Sequence, residues 1–372
     1  MNTVAILLSA FVLSFVALLV FIWSQRTGLF DRSSRGAEVI FAAQEIGRIE
    51  DPSATRAAQG ALQSNADAAT GVQAAHADAD ELVERARADA STGLLVFFFY
   101  CCAVVWLLVA SAAGLTASIK LHAPDWLVQQ AWLTFGRIRT IHLNAVAYGW
   151  APMAGLGTAM FVIPRLLKTP LIGARFAFVG GVLWNAALIA GLGSIGAGIN
   201  DGLEWLEIPW QIDTLFALGG ALIALPLVFT LVNRRVEHLY VSVWYMACAL
   251  FWLPVLFIVA KMPGIHQGVQ QAAMNWWFGH NVLGLFYTPL ALASVYYFLP
   301  KVIGRPIQSY NLSLLGFWGL AFFYGQVGGH HLIGGPVPEW MVTLSIVQSM
   351  MMIIPVAAFT INMAGTMWGR MH

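Results

Sequence analysis

The sequence predicts an all-α protein, a polytopic transmembrane helical bundle, and three observations predict it. Of 372 residues, 59% are hydrophobic and 10% charged, with a mean hydropathy of +0.72, whereas an ordinary soluble domain carries about 25% charged residues. Apolar runs recur at the length of about 20 residues that a helix needs to cross a bilayer. Charge is also segregated, since 18 of the 37 charged side chains fall within residues 24–91. A soluble enzyme is excluded, and a net charge of +1 without a basic cluster argues against nucleic acid as a partner. Cys101, Cys102 and Cys248 sit in apolar runs as packing residues, and no CxxCH motif offers covalent haem attachment.

The length rule yields about nine spans, an N-terminal anchor and eight core helices. The anchor covers residues 3–23; it lacks a basic start and a small-residue cleavage site, so it reads as retained rather than cleaved. The core spans fall at 94–115, 133–164 (long enough to tilt), 176–199, 212–232, 239–259, 274–299, 310–329 and 341–363. Arg165, Lys168 and Arg175, then Arg234 and Arg235, then Lys301 and Arg305 mark alternate loops as cytoplasmic. Asp201, Glu204, Glu207 and Glu339 mark the loops between as outer. Residues 24–92 then form a cytoplasmic Ala-rich linker or helix, with 68–90 its most helical part, and composition suggests a spacer without chemistry. Residues 93–372 form the core domain.

Ionisable groups inside spans are costly and therefore candidates for function. His142 lies about nine residues into its span from the outer side and His280 about six, with His330 and His331 at the outer end of theirs; at about 1.5 Å per residue all four converge on one layer. Imidazole suits copper, iron or zinc, and a site of nitrogen ligands alone favours copper or zinc. His330 and His331 would point about 100° apart on a regular helix, so a shared metal requires distortion, which Gly328 and Gly329 permit. His280 would complete a three-imidazole site. His142, with Arg137 and Arg139 a turn nearer the surface, suits an axial haem ligand with propionates on the guanidinium groups; an interhelical hydrogen bond is an equally good reading of these residues alone.

On regular helix geometry Tyr324 and His331 share a face, since seven residues turn about 700°, and Ser313 and Tyr310 follow nearly in phase toward the cytoplasm. Thr288, about 80° from His280 and deeper, joins this hydroxyl stripe. It reads as a proton path or as ordinary helix packing.

Several motifs now resemble a known family. Asn275-Trp276-Trp277-Phe278-Gly279-His280-Asn281, Tyr296-Tyr297-Phe298-Leu299-Pro300-Lys301 with Arg305-Pro306, Tyr324, Gly329-His330-His331-Leu332, and the run from Gly136 through His142 to Val146 resemble catalytic subunit I of the C-family, or cbb-type, haem-copper cytochrome c oxidases. The likeness covers residues 94–372. It implies that His280, His330 and His331 bind one copper ion and that His142 is an axial ligand of a low-spin haem b. It also implies that Arg139 lies near haem propionates and that Tyr324 is the redox-active tyrosine cross-linked to His280. Thr288, Tyr310 and Ser313 match the family's proton pathway, and Glu204 with Glu207 loosely resembles its outer acidic patch. Gly316 departs from a histidine frequent in the family.

The resemblance further implies reduction of dioxygen to water in a bacterial inner (cytoplasmic) membrane, coupled to proton uptake, with electrons from cytochrome c-type subunits. Nitric oxide reductases of the same superfamily add a Glu for non-haem iron; none occurs in 274–299, and Tyr324 is present, which favours oxygen. Gly284 replaces the Tyr of the A-family cross-link. A proton-coupled membrane transporter is the alternative from a different class. The family's later histidines, one for the high-spin haem b and a second for the low-spin haem, have no counterpart, since only His372 follows His331. The chain is therefore expected to be truncated or split, with the missing C-terminal helices among its partners.

Overall fold

The structure is a computed structural model that describes residues 3–30, 34–41, 45–46, 72–262 and 264–369. Its regular elements are helical, with no strand among the described residues. In chain order they are α1 (Thr3–Arg26), α2 (Ser34–Glu38), α3 (Val72–His122), α4 (Phe135–Asn144), α5 (Ala151–Leu166), α6 (Ala174–Ala197), α7 (Trp210–Val232), α8 (Val241–Lys261), α9 (Val269–Val282), α10 (Thr288–Ile303), α11 (Tyr310–Phe323), α12 (Glu339–Met351) and α13 (Ile353–Met367). Four irregular helical segments complete the described path: 3-10 helices at Ala131–Leu133 and Tyr324–Leu332, and π-helical turns at Ala145–Trp150 and Leu283–Tyr287.

Among the described residues, seven helical stretches are long and apolar enough to span a membrane: Leu82–His122, Phe135–Leu166, Ala174–Ala197, Trp210–Val232, Val241–Lys261, Val269–Ile303 and Glu339–Met367. These match seven of the expected core spans. The eighth, expected at 310–329, is not a continuous α-helix, because α11 yields to the 3-10 segment at Tyr324. Its 14 α-helical and nine 3-10 residues still reach about 39 Å, at about 1.5 and 2.0 Å per residue. The tighter helix keeps the bilayer-crossing length with fewer residues per unit height.

Pairing follows chain order for the most part, with α3 on α4 and α5, α6 on α7, α8 on α10, and α9 on the 3-10 segment. Small residues set the closest approaches. Gly180 and Gly219 bring α6 and α7 so close that a Cβ on Gly180 would lie 2.6 Å from the Gly219 carbonyl. Such backbone proximity is how membrane helices gain packing energy without a hydrophobic driving force.

The segment before the core is not a detached spacer over its described part. Leu29, Phe30, Ile40 and Phe41 are buried in the main core, and the Phe30 ring lies 4.9 Å from that of Trp244. Helix α3 runs unbroken from Val72 through the 92–93 boundary into the first core span; residues 68–71 of the expected Ala-rich helix lie outside the described residues. The sequence reading missed this docking because the contacts are long-range and the composition is that of a solvated tail. Ion pairs fasten it. Asp89 takes both Nε and Nη2 of Arg165, at 2.5 and 2.7 Å, and Glu45 bridges Arg85 (2.5 Å) and the buried Lys301 (3.1 Å). Glu84 meets Arg235 at 3.6 Å. One basic residue from each of the three sorted loops, Arg165, Arg235 and Lys301, thus meets an acid of the early segment.

The two-pronged Asp89–Arg165 contact should matter to stability, although Asp89 is 37% exposed. Replacing Asp89 with Asn should lower stability in detergent by about 1 kcal/mol. Thermal unfolding of the variant beside an Arg165→Lys variant, which keeps charge but loses the fork, checks this.

Candidate metal centre

Two of the four membrane histidines sit at the same kind of helix defect. His142 is in the last turn of α4, followed by the π turn and then Pro152; His280 is near the end of α9, followed by its π turn and Pro289. Proline lacks an amide proton and displaces the carbonyl one turn back, which a wide turn accommodates. The freed carbonyls are not wasted. Tyr148 O accepts from Trp184 Nε1 at 2.7 Å, and Ala147 O accepts from the Tyr287 hydroxyl. Each defect therefore ties its helix to a neighbour at the level of a histidine.

His280, His330 and His331 come together. Their ligand nitrogens all lie within 4.8 Å of one another, and their ring centroids are 4.8 Å (His280–His330), 5.2 Å (His280–His331) and 4.5 Å (His330–His331) apart. Nitrogens bound at about 2.0 Å around one ion would sit about 3.5 Å apart, so ring movements on the order of 1 Å close the set. His280 Nδ1 is buried without a hydrogen-bond partner, an arrangement that a metal would satisfy and an empty apolar site would penalise. His330 Nδ1 meets Ser349 Oγ at 2.9 Å, leaving its Nε2 free of that contact, and His331 stacks on Trp276 at 4.0 Å. No carboxylate belongs to the group. All-nitrogen donors fit copper or zinc better than a hard cation.

The helix distortion expected at the histidine pair is present and extends further than the two glycines. Gly328 has Trp276 O only 2.3 Å from where a Cβ would stand, so the 3-10 segment packs on the backbone of α9. Tyr324 packs still closer: its ring occupies the space above Gly284, 1.7 Å from an imagined Cβ, and lies 5.1 Å from the His280 ring at 60°.

Two side chains sit at angles other than a regular helix would give. Tyr324 and His331 lie on a 3-10 helix, where seven residues leave them about 120° apart rather than on one face. Thr288 follows the π turn, so its expected offset from His280 on a regular helix does not apply. It is half-buried at the start of α10. Tyr310 and Ser313 are buried, with hydroxyls committed to Leu239 O (2.9 Å) and Tyr310 O (2.6 Å).

His142 stands apart from the trio. Its Nδ1 meets Ala110 O at 2.8 Å and its ring fills the space beside Gly114 of α3, which orients the imidazole and leaves Nε2 free of that contact. Arg139 forms a half-exposed ion pair with Glu204 at 3.3 Å, and Arg137 donates to Gly196 O at 3.0 Å. Glu207 accepts from Asn144 Nδ2 at 3.0 Å, two residues from His142, and burial pushes its carboxyl above the usual range. The outer acidic loop is therefore fastened directly to the His142 helix. His372 lies outside the described residues.

Sequence reasoning missed Ser349, the Trp276 stack and the seat that Gly284 provides for Tyr324. Polar Ser345, Gln348 and Ser349 on one face of an apolar helix were the available signal.

Residues 94–372 match the model of the family described as cytochrome c and quinol oxidase polypeptide I. The chain is 31% identical over 281 residues to cbb3-type cytochrome c oxidase subunit CcoN1 of Stutzerimonas stutzeri, covering 72% of this chain and 59% of that protein. It is 32% identical over 252 residues to cytochrome c oxidase subunit 1 of Rhodobacter capsulatus, covering 64% and 47%, and 30% identical over 279 residues to a cytochrome c oxidase subunit 1 homolog of Agrobacterium tumefaciens, covering 72% and 51%. The chain spans about half the length of these curated relatives. With its multi-pass apolar helices and clustered histidines, the chain belongs to the cytochrome c and quinol oxidase polypeptide I family, the subunit I of haem-copper oxidases.

Proposed function

We propose that this chain forms part of the catalytic subunit of a bacterial inner-membrane terminal oxidase, reducing dioxygen to water with electrons from cytochrome c-type subunits. The observation that carries the reading is the meeting of three imidazoles from two helices, without a carboxylate, beside the Tyr324 ring. His280, His330 and His331 would hold one copper ion. His142, its Nδ1 occupied by Ala110 O, would be one axial ligand of a low-spin haem b, with Arg139 toward the propionates. The reading requires further ligands, for the same haem and for a high-spin haem b, beyond the four histidines assigned here. When bound, copper and haem iron supply the electron transfers that reduce dioxygen.

The chain's own residues position and protonate. Close packing of Tyr324 on Gly284 holds its ring beside that of His280, from where the phenol would give up a proton and an electron, with or without a covalent link to His280. Tyr310, Ser313 and Thr288 relay protons from the cytoplasmic end; the Tyr310 and Ser313 hydroxyls leave their backbone carbonyls to do so. A mostly apolar cavity, lined by Met274, Trp277, Leu332, Met341 and Leu344 with Gln270 and Gln326 as its polar members, lies beside the segment that carries the histidine pair, and it could admit a small uncharged gas.

Metal analysis and optical spectra of the purified complex test the assignment. Copper with haem b supports it, non-haem iron points to nitric oxide reduction, and absence of both metals points to a proton-coupled transporter. Two substitutions give sharper expectations. Tyr324→Phe should keep copper while lowering turnover by about 10²-fold or more; oxygen consumption near that of the parent refutes the role. His280→Ala should lose copper yet keep the low-spin haem spectrum, and copper retained at full stoichiometry would show that His280 is not a ligand.

A further inference from the structure

Helix α12 lies back against the 3-10 segment that carries the histidine pair, and three polar side chains on one of its faces make the contact. Ser345 Oγ donates to Val327 O, Gln348 Oε1 accepts from Gln326 N at 3.1 Å, and Ser349 Oγ meets His330 Nδ1 at 2.9 Å. Gly329 packs directly on Ser345, 3.1 Å from Cβ position to Cβ. In an apolar helix such residues are the ones that fasten neighbours together.

The Ser349 contact has a direction that chemistry decides. A serine hydroxyl has one proton and two lone pairs. Ser349 places its proton on Ser345 O at 2.7 Å, one turn back in the helix. It therefore faces His330 as an acceptor, and the proton in that bond belongs to His330 Nδ1. A neutral imidazole with its proton on Nδ1 has its lone pair on Nε2, the nitrogen turned away from Ser349. Were the serine to donate instead, Nε2 would carry the proton and could bind no metal.

We propose that Ser349 is a positioning residue of the metal centre, fixing the Nδ1–H tautomer and the orientation of His330 so that Nε2 is presented to copper. The inference rests on the copper reading of the histidine trio. Loss of such an outer partner lowers metal affinity by about 10–100-fold.

The test is chelator competition for copper on the assembled enzyme, with the low-spin haem spectrum reporting that the fold is intact. Ser349→Ala should weaken copper retention by about 10–100-fold. Ser349→Thr, which keeps the hydroxyl and its bond one turn back, should stay near the parent, while Ser349→Val, of matching shape without the hydroxyl, should behave like Ala. Equal copper retention in the Thr and Val variants, whether high or low, overturns the inference, since shape alone would then matter. His330→Ala separates the two levels. If it loses copper while Ser349→Val does not, the positioning role fails and the copper site stands; if it too keeps copper, the copper reading fails and the inference with it.

Discussion

The centre depends on a backbone-level contact between α9, with its π turn, and the 3-10 segment after α11. Gly284 and Gly328 leave no side chain between the two, so the Tyr324 ring and the histidine pair come within about one ring width of His280. A Cβ at Gly328 would stand 2.3 Å from Trp276 O and one at Gly284 1.7 Å from the Tyr324 ring, so a side chain at either would force the segment or the ring to shift. In a bilayer there is no water to fill such a gap or to satisfy the exposed amides.

Irregular backbone within the membrane has to be paired internally, and here side chains do this. The π turn after His142 offers the Tyr148 and Ala147 carbonyls to Trp184 Nε1 and to the hydroxyl of Tyr287, which ends the π turn after His280, while Ser345 and Gln348 satisfy groups of the 3-10 segment. The same bonds set the histidine heights, because each defect is stitched to a neighbouring helix at the histidine level. Local distortion and site geometry are thus one arrangement.

Opposite charges close both ends of the bundle. At one end Asp89, Glu45 and Glu84 take Arg165, Arg85, Lys301 and Arg235; at the other Lys261 lies between Asp201 (2.7 Å) and Asp213 (3.1 Å), while Arg139 holds Glu204. The first set docks residues that composition presents as a solvated tail, and the second secures the acidic loop between α6 and α7.

The all-α membrane class, seven of the core spans and the candidate histidines were legible in the sequence alone, because bilayer crossing imposes a length and a polarity on every span and makes each intramembrane histidine conspicuous. The grouping of His280 with His330 and His331 was legible too, since Gly328-Gly329 signalled a bend. Tertiary structure alone decided how the helix deviates there, and with it the angular positions of Tyr324 and Thr288, because a 3-10 or π turn changes the rotation per residue and is set by neighbours rather than by local pattern. It alone decided the docking of Leu29, Phe30, Ile40 and Phe41 and the contact of Ser349 with His330. Those contacts join residues distant in the chain or on separate helices, and hydropathy records only that a position is polar, not which group it meets.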